Sequence, residues 1–105
     1  MSDTTEATLR EIDRLRDLIY RLEEDLSESK ETIRKLTEER DIRWLEAHKQ
    51  NDEPRASCIQ HWLLHATNVE LTQTIRKRDI WKNRHAAATQ RVERMQSQID
   101  AACST

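Results

Sequence analysis

Apolar residues recur at alternating spacings of three and four between residues 12 and 36, and this heptad pattern constrains the fold more than any other feature. Such spacing places side chains on one stripe of an α-helix, whereas a strand would alternate every second residue. A stripe of this length is typical of coiled-coil packing through heptad positions a and d. The a positions are Ile12, Ile19, Leu26 and Ile33, and the d positions are Leu15, Leu22, Ser29 and Leu36.

The rest of the chain is also predicted to be helical, because its composition disfavours the other classes. Among 105 residues there is no glycine and one proline, and 36% of the residues are charged. Sheets need turns, which favour glycine, and glycine is also required in phosphate-binding loops and nucleophile elbows. The sequence therefore predicts an all-α protein with one helical domain over residues 1–105, no enzymatic activity and no cofactor.

A break near Pro54 divides the chain into two helices. Proline is tolerated in the first turn of a helix, where its missing N–H has no intrahelical partner. We predict helix 1 at about residues 6–50, a turn at about 51–54 and helix 2 at about 55–100. Since the break is short, helix 2 is expected to fold back on helix 1 as a long antiparallel hairpin with coiled-coil packing.

The register of this hairpin follows from the position of its turn. Both helices rise equally per residue, so residues whose numbers add up to about 108 should face each other. Five basic residues of helix 2 would then lie opposite five acidic residues of helix 1, and their pairing would select the register. The basic residues are Arg76, Lys77, Arg78, Lys82 and Arg84, and the acidic residues are Glu23, Glu24, Asp25, Glu28 and Glu31.

The apolar stripe of helix 1 changes character after residue 36. The next a and d positions hold Arg40 and Arg43, and the apolar bulk moves to neighbouring positions. We therefore expect the buried face to rotate toward those neighbours, which are Ile42, Trp44 and Leu45. Because the register places Trp44 near Trp62, an aromatic core is predicted at the loop end of the hairpin.

Two helices that share one thin seam bury little apolar surface, so self-association is also predicted. Isoleucine at a with leucine at d favours parallel two-stranded pairing. A dimeric four-helix bundle would combine this association with the hairpin, and a coiled-coil dimer is the alternative. The predicted dimerisation residues are Ile12, Leu15, Ile19, Leu22, Leu26, Ile33 and Leu36.

The segment CIQHWLLH, residues 58–65, contains Cys58, His61 and His65 on one helical stripe. Zinc binds Cys and His in a tetrahedron, and the hairpin register brings His48 close enough to supply a fourth ligand. The alternative is ordinary packing, in which Cys58 is a small apolar residue and the histidines lie at a helix interface.

Basic residues cluster between residues 76 and 94 of helix 2, with Trp81 among them, as in helices that contact nucleic-acid phosphates. Within this stretch NRHAAATQR, residues 83–91, resembles the basic region of bZIP transcription factors. The matching residues are Asn83, Arg84, Ala86, Ala87 and Arg91. The resemblance implies that Asn83 and Arg91 contact bases and phosphates, although Gln90 replaces the usual small residue and no leucine heptads follow.

These patterns favour protein–protein interaction by a small coiled-coil adaptor, inhibitor or assembly factor that docks a helix face on a partner protein. The candidate surfaces are the basic stretch with Trp81 and the end containing Trp44 and Trp62. The alternatives are a nucleic-acid-binding regulator that uses residues 76–94 and a zinc-stapled helical module. A polar N-terminus, short apolar runs and two widely separated cysteines predict a cytoplasmic protein without membrane contact.

Overall fold

The computed structural model describes the backbone of residues 2–49 and 54–104 and the side chains of residues 4–49 and 58–104. These residues form two α-helices, α1 (Ser2–Ala47) and α2 (Pro54–Cys103), which pack against each other as a hairpin. The all-α hairpin is therefore confirmed. α1 begins and ends a few residues earlier than predicted, and Pro54 opens α2 as expected. The rest of the predicted turn, residues 51–53, lies outside the described residues.

Contacts between the helices group the chain into two compact units. Unit 1 combines Met1–Leu26 with Ile80–Thr105, and unit 2 is Ser27–Asp79. Each unit therefore contains one stretch of α1 and one stretch of α2. The two units differ in the residues that form the seam, that is, the contact between α1 and α2.

Unit 1 is held together by large apolar residues at the predicted a and d positions of α1. Ile12, Leu15 and Leu22 are buried, and Ala88 of α2 is buried with them. A polar contact borders this seam, with Nε2 of His85 3.1 Å from Oε1 of Glu23. The numbers of Glu23 and His85 add up to 108, so this contact fits the predicted register.

Unit 2 has a thinner apolar seam, because small and polar residues occupy several of its inward positions. Its buried apolar residues are Leu36, Ala47 and Leu71, and Ser29 and Thr67 are buried beside them. The hydroxyl of Thr67 donates a hydrogen bond to the backbone carbonyl of Leu63 at 3.0 Å. This bond satisfies the hydroxyl within α2 but adds no contact between the helices.

The seam of α1 keeps its heptad phase beyond residue 36, and the predicted rotation of the buried face is wrong. Arg40 and Arg43 remain half-buried at a and d, and Ala47 is buried at the next a position. Long arginine side chains can cover a seam with their aliphatic stems while the guanidinium reaches water. An unbroken helix keeps one face toward its partner, so the apolar residues between these positions point away from the seam.

The residues predicted to form a dimer seam lie inside the hairpin. Within this set Ile12, Leu15, Leu22 and Leu36 are buried, and the other members are half-buried. The half-buried members are Ile19, Leu26 and Ile33. This burial comes from α2 of the same chain, so the four buried residues are already covered within the hairpin.

Two leucines of α1 in unit 2 provide a direct test of the seam. Leu36 is 6% exposed at position d, whereas Leu45 is 60% exposed at position f. We expect Leu36→Ala to lower the free energy of unfolding by about 2–5 kcal/mol, because it leaves a cavity in the seam. Leu45→Ala should change it by less than about 0.5 kcal/mol. Chemical denaturation followed by circular dichroism measures both, and equal losses would contradict the assigned phase.

Candidate functional site

Six large apolar side chains are exposed in unit 2, and we call this set the apolar surface. Trp62 is 67% exposed and Trp44 51%, and all six exceed 40%. Only two large apolar side chains, Leu36 and Leu71, are buried among the described residues of the same unit. The apolar surface consists of Ile42, Trp44 and Leu45 on α1 and Ile59, Trp62 and Val69 on α2. The members on each helix point away from the seam, so they form two faces, and exposed apolar side chains in such number are typical of contact regions.

The predicted aromatic core at the loop end is therefore wrong. Trp44 and Trp62 are both more than half exposed, because they occupy heptad positions e and f and not the seam positions a and d. The ring of Trp44 stacks on the imidazole of His48, with centroids 4.2 Å apart and planes 20° from parallel. Neither tryptophan contributes a fully buried side chain to unit 2.

Part of the apolar surface forms a second heptad stripe on α2, which we call the outer stripe. It consists of Ile59, Trp62, Ala66 and Val69, with spacings of three, four and three. Burial of Leu71 at position a and Thr67 at position d sets the phase of α2. The outer stripe then occupies positions c and f, on the side of α2 opposite the seam.

The outer stripe also lies in a stretch of unusually low charge. From residue 56 to residue 75 the only aspartate, glutamate, lysine or arginine is Glu70, although 36% of the whole chain is charged. An open groove of about 350 Å³ adjoins Val69. Its lining also contains His65, Asn68, Thr72 and Gln73, and Arg76 at its far end is the one charged residue among them. The sequence predicted Trp62 as part of a candidate surface but not the stripe to which it belongs, because the inward stripe was the pattern considered. The charge-free stretch and the repeated spacing were the signals that could have found it.

The proposed zinc ligands do not assemble into a site. No group of three or more His, Cys, Asp or Glu side chains among the described residues is placed to hold a metal ion. Cys58 is an exposed free thiol, and both His61 and His65 are exposed. The imidazole of His48 lies 5.6 Å from that of His61, measured between ring centroids.

His48 has a structural role at the end of α1. Its Nδ1 lies 2.8 Å from the carbonyl oxygen of Trp44, and its backbone N–H donates to the same oxygen at 3.0 Å. The Trp44 oxygen therefore accepts the usual backbone hydrogen bond and also lies within hydrogen-bond distance of the ring. A histidine side chain in the last turn of a helix interacts favourably with its last carbonyls.

The ion pairs predicted between the basic stretch and α1 are not formed. Among the described residues, Arg76, Lys77, Lys82 and Arg84 have no ion pair, and Arg78 pairs with its neighbour Asp79 at 3.1 Å. Trp81, which was expected to be a partner contact if exposed, is half-buried in unit 1. The predicted charge matching therefore does not select the register, which the apolar seam determines.

One basic residue of the stretch does reach α1. Nη2 of Arg91 lies 3.6 Å from Oε1 of Glu11. The carboxylate of Glu11 also pairs with Arg14 on its own helix. The hydrogen bond from Arg14 lowers the pKa of Glu11, and the charges of Arg14 and Arg91 add to this effect. In the bZIP resemblance Arg91 would be free to contact DNA, whereas here it takes part in an interhelical ion pair.

No protein family, curated protein or solved structure matches the chain, so the resemblance to bZIP proteins has no support from these comparisons. In the part of the chain that the structure describes, neither helix has a segment sufficiently long and apolar to cross a membrane.

The Glu11 cluster predicts a specific pH dependence of stability. Because the folded pKa of Glu11 is lowered, its stabilising effect is fully present above the pKa of the unfolded state. The effect is lost as pH falls through the lower folded pKa. We expect Glu11→Gln to melt a few degrees below wild type at pH 7 and at the same temperature at pH 2, by circular dichroism.

A matched variant separates this effect from a general change of charge. Glu24 is exposed in the same unit and helix, and Glu24→Gln removes the same charge. The melting temperature of Glu24→Gln should stay close to that of wild type across this range. A difference between wild type and Glu11→Gln that persists unchanged at pH 2 would show that the carboxylate charge is not responsible.

Proposed function

We propose that this protein is a non-enzymatic protein–protein interaction module, a small adaptor, inhibitor or assembly factor, that docks the apolar surface of unit 2 on a partner protein. The observation that supports this proposal is the excess of exposed over buried large apolar side chains in that unit. Tryptophan is the residue most enriched among the energetic hot spots of interfaces, and this surface contains two of them.

The binding energy would come mainly from removing this surface from water. Each Å² of apolar area contributes about 25 cal/mol before the cost of association is subtracted. The stacking of Trp44 on His48 restricts the orientation of the indole before binding, so less conformational entropy would be lost.

Charged residues that surround the α1 part of the surface would orient the partner. Arg40 pairs with Asp41 at 3.2 Å, and Lys49 pairs with Glu46 at 3.2 Å. Asp41 and Lys49 are exposed, and each pair joins close neighbours in sequence, so these two residues are free to exchange partners at modest cost. Such flanking charges set specificity and association rate more than affinity.

A photo-crosslinking amino acid can test this proposal at two exposed positions. Placed at Leu45, within the apolar surface, it should form a covalent adduct with a different protein when the chain is expressed in its native cells. Placed at Tyr20, an exposed position of unit 1, it should not. The adduct should disappear in the Ile42→Gln, Trp44→Gln variant, because the variant lacks the apolar anchors.

The matched control replaces two exposed apolar residues of unit 1, Leu9→Gln and Tyr20→Gln, and should leave the Leu45 adduct intact. Circular dichroism confirms that each variant is folded. Equal crosslinking from both units, or no adduct with another protein from either, would contradict the proposed role of the apolar surface.

The second candidate function is a nucleic-acid-binding regulator that uses the basic stretch of α2. One observation favours it: four basic side chains of this stretch are exposed and form no ion pair with described residues. They are Arg76 and Lys77 in unit 2 and Lys82 and Arg84 in unit 1. These cations remain available for phosphate groups.

Salt dependence tests the second candidate. Phosphate-driven binding to DNA or RNA should weaken about 10-fold or more between 50 and 200 mM salt, because counterions are released on binding. The Arg76→Ala, Lys77→Ala variant should lower both the affinity and the steepness of that dependence, as measured by fluorescence anisotropy. Absence of binding to either nucleic acid at low salt would contradict this function.

A further inference from the structure

The outer stripe of α2 has no partner within the chain, and its pattern identifies what could cover it. We propose that a second copy of the protein covers it, through an antiparallel contact between the two α2 helices centred near Leu64. This inference rests on the proposed function, because it assigns a partner to one part of the apolar surface. The α1 part, Ile42, Trp44 and Leu45, stays available for a different protein.

The outer stripe is complementary to itself in antiparallel orientation. With the twofold axis near residue 64, Ile59 faces Val69 of the second copy, and Trp62 faces Ala66 of the second copy. The twofold axis repeats each of these pairs, as in any isologous contact. The largest side chain of the stripe, Trp62, thus meets the smallest one, Ala66, so that the two helices pack at this level without a steric clash. Parallel pairing in register would instead place Trp62 against Trp62.

The residues beside the outer stripe favour the same arrangement. In an antiparallel helix pair, each position beside the core lies next to the same position of the partner. Near the axis, Leu63 therefore lies next to Leu63 of the second copy, and His65 next to His65 of the second copy. No aspartate, glutamate, lysine or arginine lies between residues 58 and 69, so pairing buries no unpaired formal charge and brings no like formal charges together. A surface that binds a different protein would ordinarily carry charges that orient it, and this stripe has none.

The composition of unit 2 supplies the driving force. Among the described residues of its seam, Leu36 and Leu71 are buried, and Ile33 and Leu64 are only half-buried. Ile59, Trp62 and Val69 are exposed on α2 alone. The groove beside Val69 lies where Ile59 of the second copy would pack. Dimerisation through the outer stripe would therefore add a second apolar seam to a unit whose first seam is thin.

Sedimentation measurements on the full chain test whether the stripe mediates dimerisation. Wild type should show a concentration-dependent equilibrium between monomer and dimer. Trp62→Ala should raise the dimer dissociation constant by about 30-fold or more, as expected for a tryptophan at an interface hot spot. Trp44→Ala is the matched control, because Trp44 is also exposed in unit 2 but lies outside the outer stripe. It should change the constant by less than about 3-fold.

Disulfide trapping tests the orientation. The exposed thiols are first removed by Cys58→Ser and Cys103→Ser. One preparation then carries Ile59→Cys, and a second, distinguishable by a mass tag, carries Val69→Cys. After mixing in a glutathione redox buffer, the antiparallel contact should yield predominantly the mixed disulfide, with one chain from each preparation. Parallel pairing in register would yield the two homodisulfides, and this outcome would overturn the proposed orientation.

The outcomes separate this inference from the proposed function. A protein that stays monomeric at all accessible concentrations, or a dimer that Trp62→Ala does not weaken, would overturn the inference. Neither result would affect a crosslink from Leu45 to a different protein. Conversely, loss of that crosslink with an intact dimer would remove the proposed function and leave the self-association in place.

Discussion

The heptad phase of the seam is the constraint on which the rest of this structure depends. It begins with Ile12 and Leu15 and continues without a shift through Arg40 and Arg43 to Ala47. A shift would require an insertion in the heptad repeat or a local change in the winding of the helix. The helix instead keeps its phase and places arginine at the seam, where the stems of these side chains cover apolar surface.

Maintaining this phase has a direct consequence for the loop end of the hairpin. Apolar residues such as Leu45 and Trp62 occupy outward positions and remain exposed, although they are among the most hydrophobic side chains in the chain. Small or polar residues such as Ala47 and Thr67 occupy the inward positions. The same geometry that makes the seam of unit 2 thin therefore creates the surface from which we infer both the interaction function and the self-association.

Charged residues contribute mainly within each helix. Arg34 pairs with both Glu31 and Glu38, each at 2.6 Å, and its hydrogen bond with Glu31 lowers the pKa of that carboxyl group. Pairs three or four residues apart are always close on a helix, whereas pairing between helices needs a favourable rotation of both. Arg78 likewise pairs within its own helix, with its immediate neighbour Asp79, and not with α1. The ion pair between Arg91 and Glu11 is one of the few exceptions.

The sequence by itself determined the two helices, the break near Pro54, the stripe from Ile12 to Leu36 and the approximate register. These features follow from local spacing and from the equal rise of two helices, so no knowledge of packing is needed. Only the tertiary structure decided which face of α1 is buried beyond Leu36, because two apolar faces compete there and the continuous seam prevails. It also decided that the His48 ring contacts the Trp44 carbonyl and that Arg91 reaches Glu11, since both contacts depend on side-chain positions that heptad spacing does not specify.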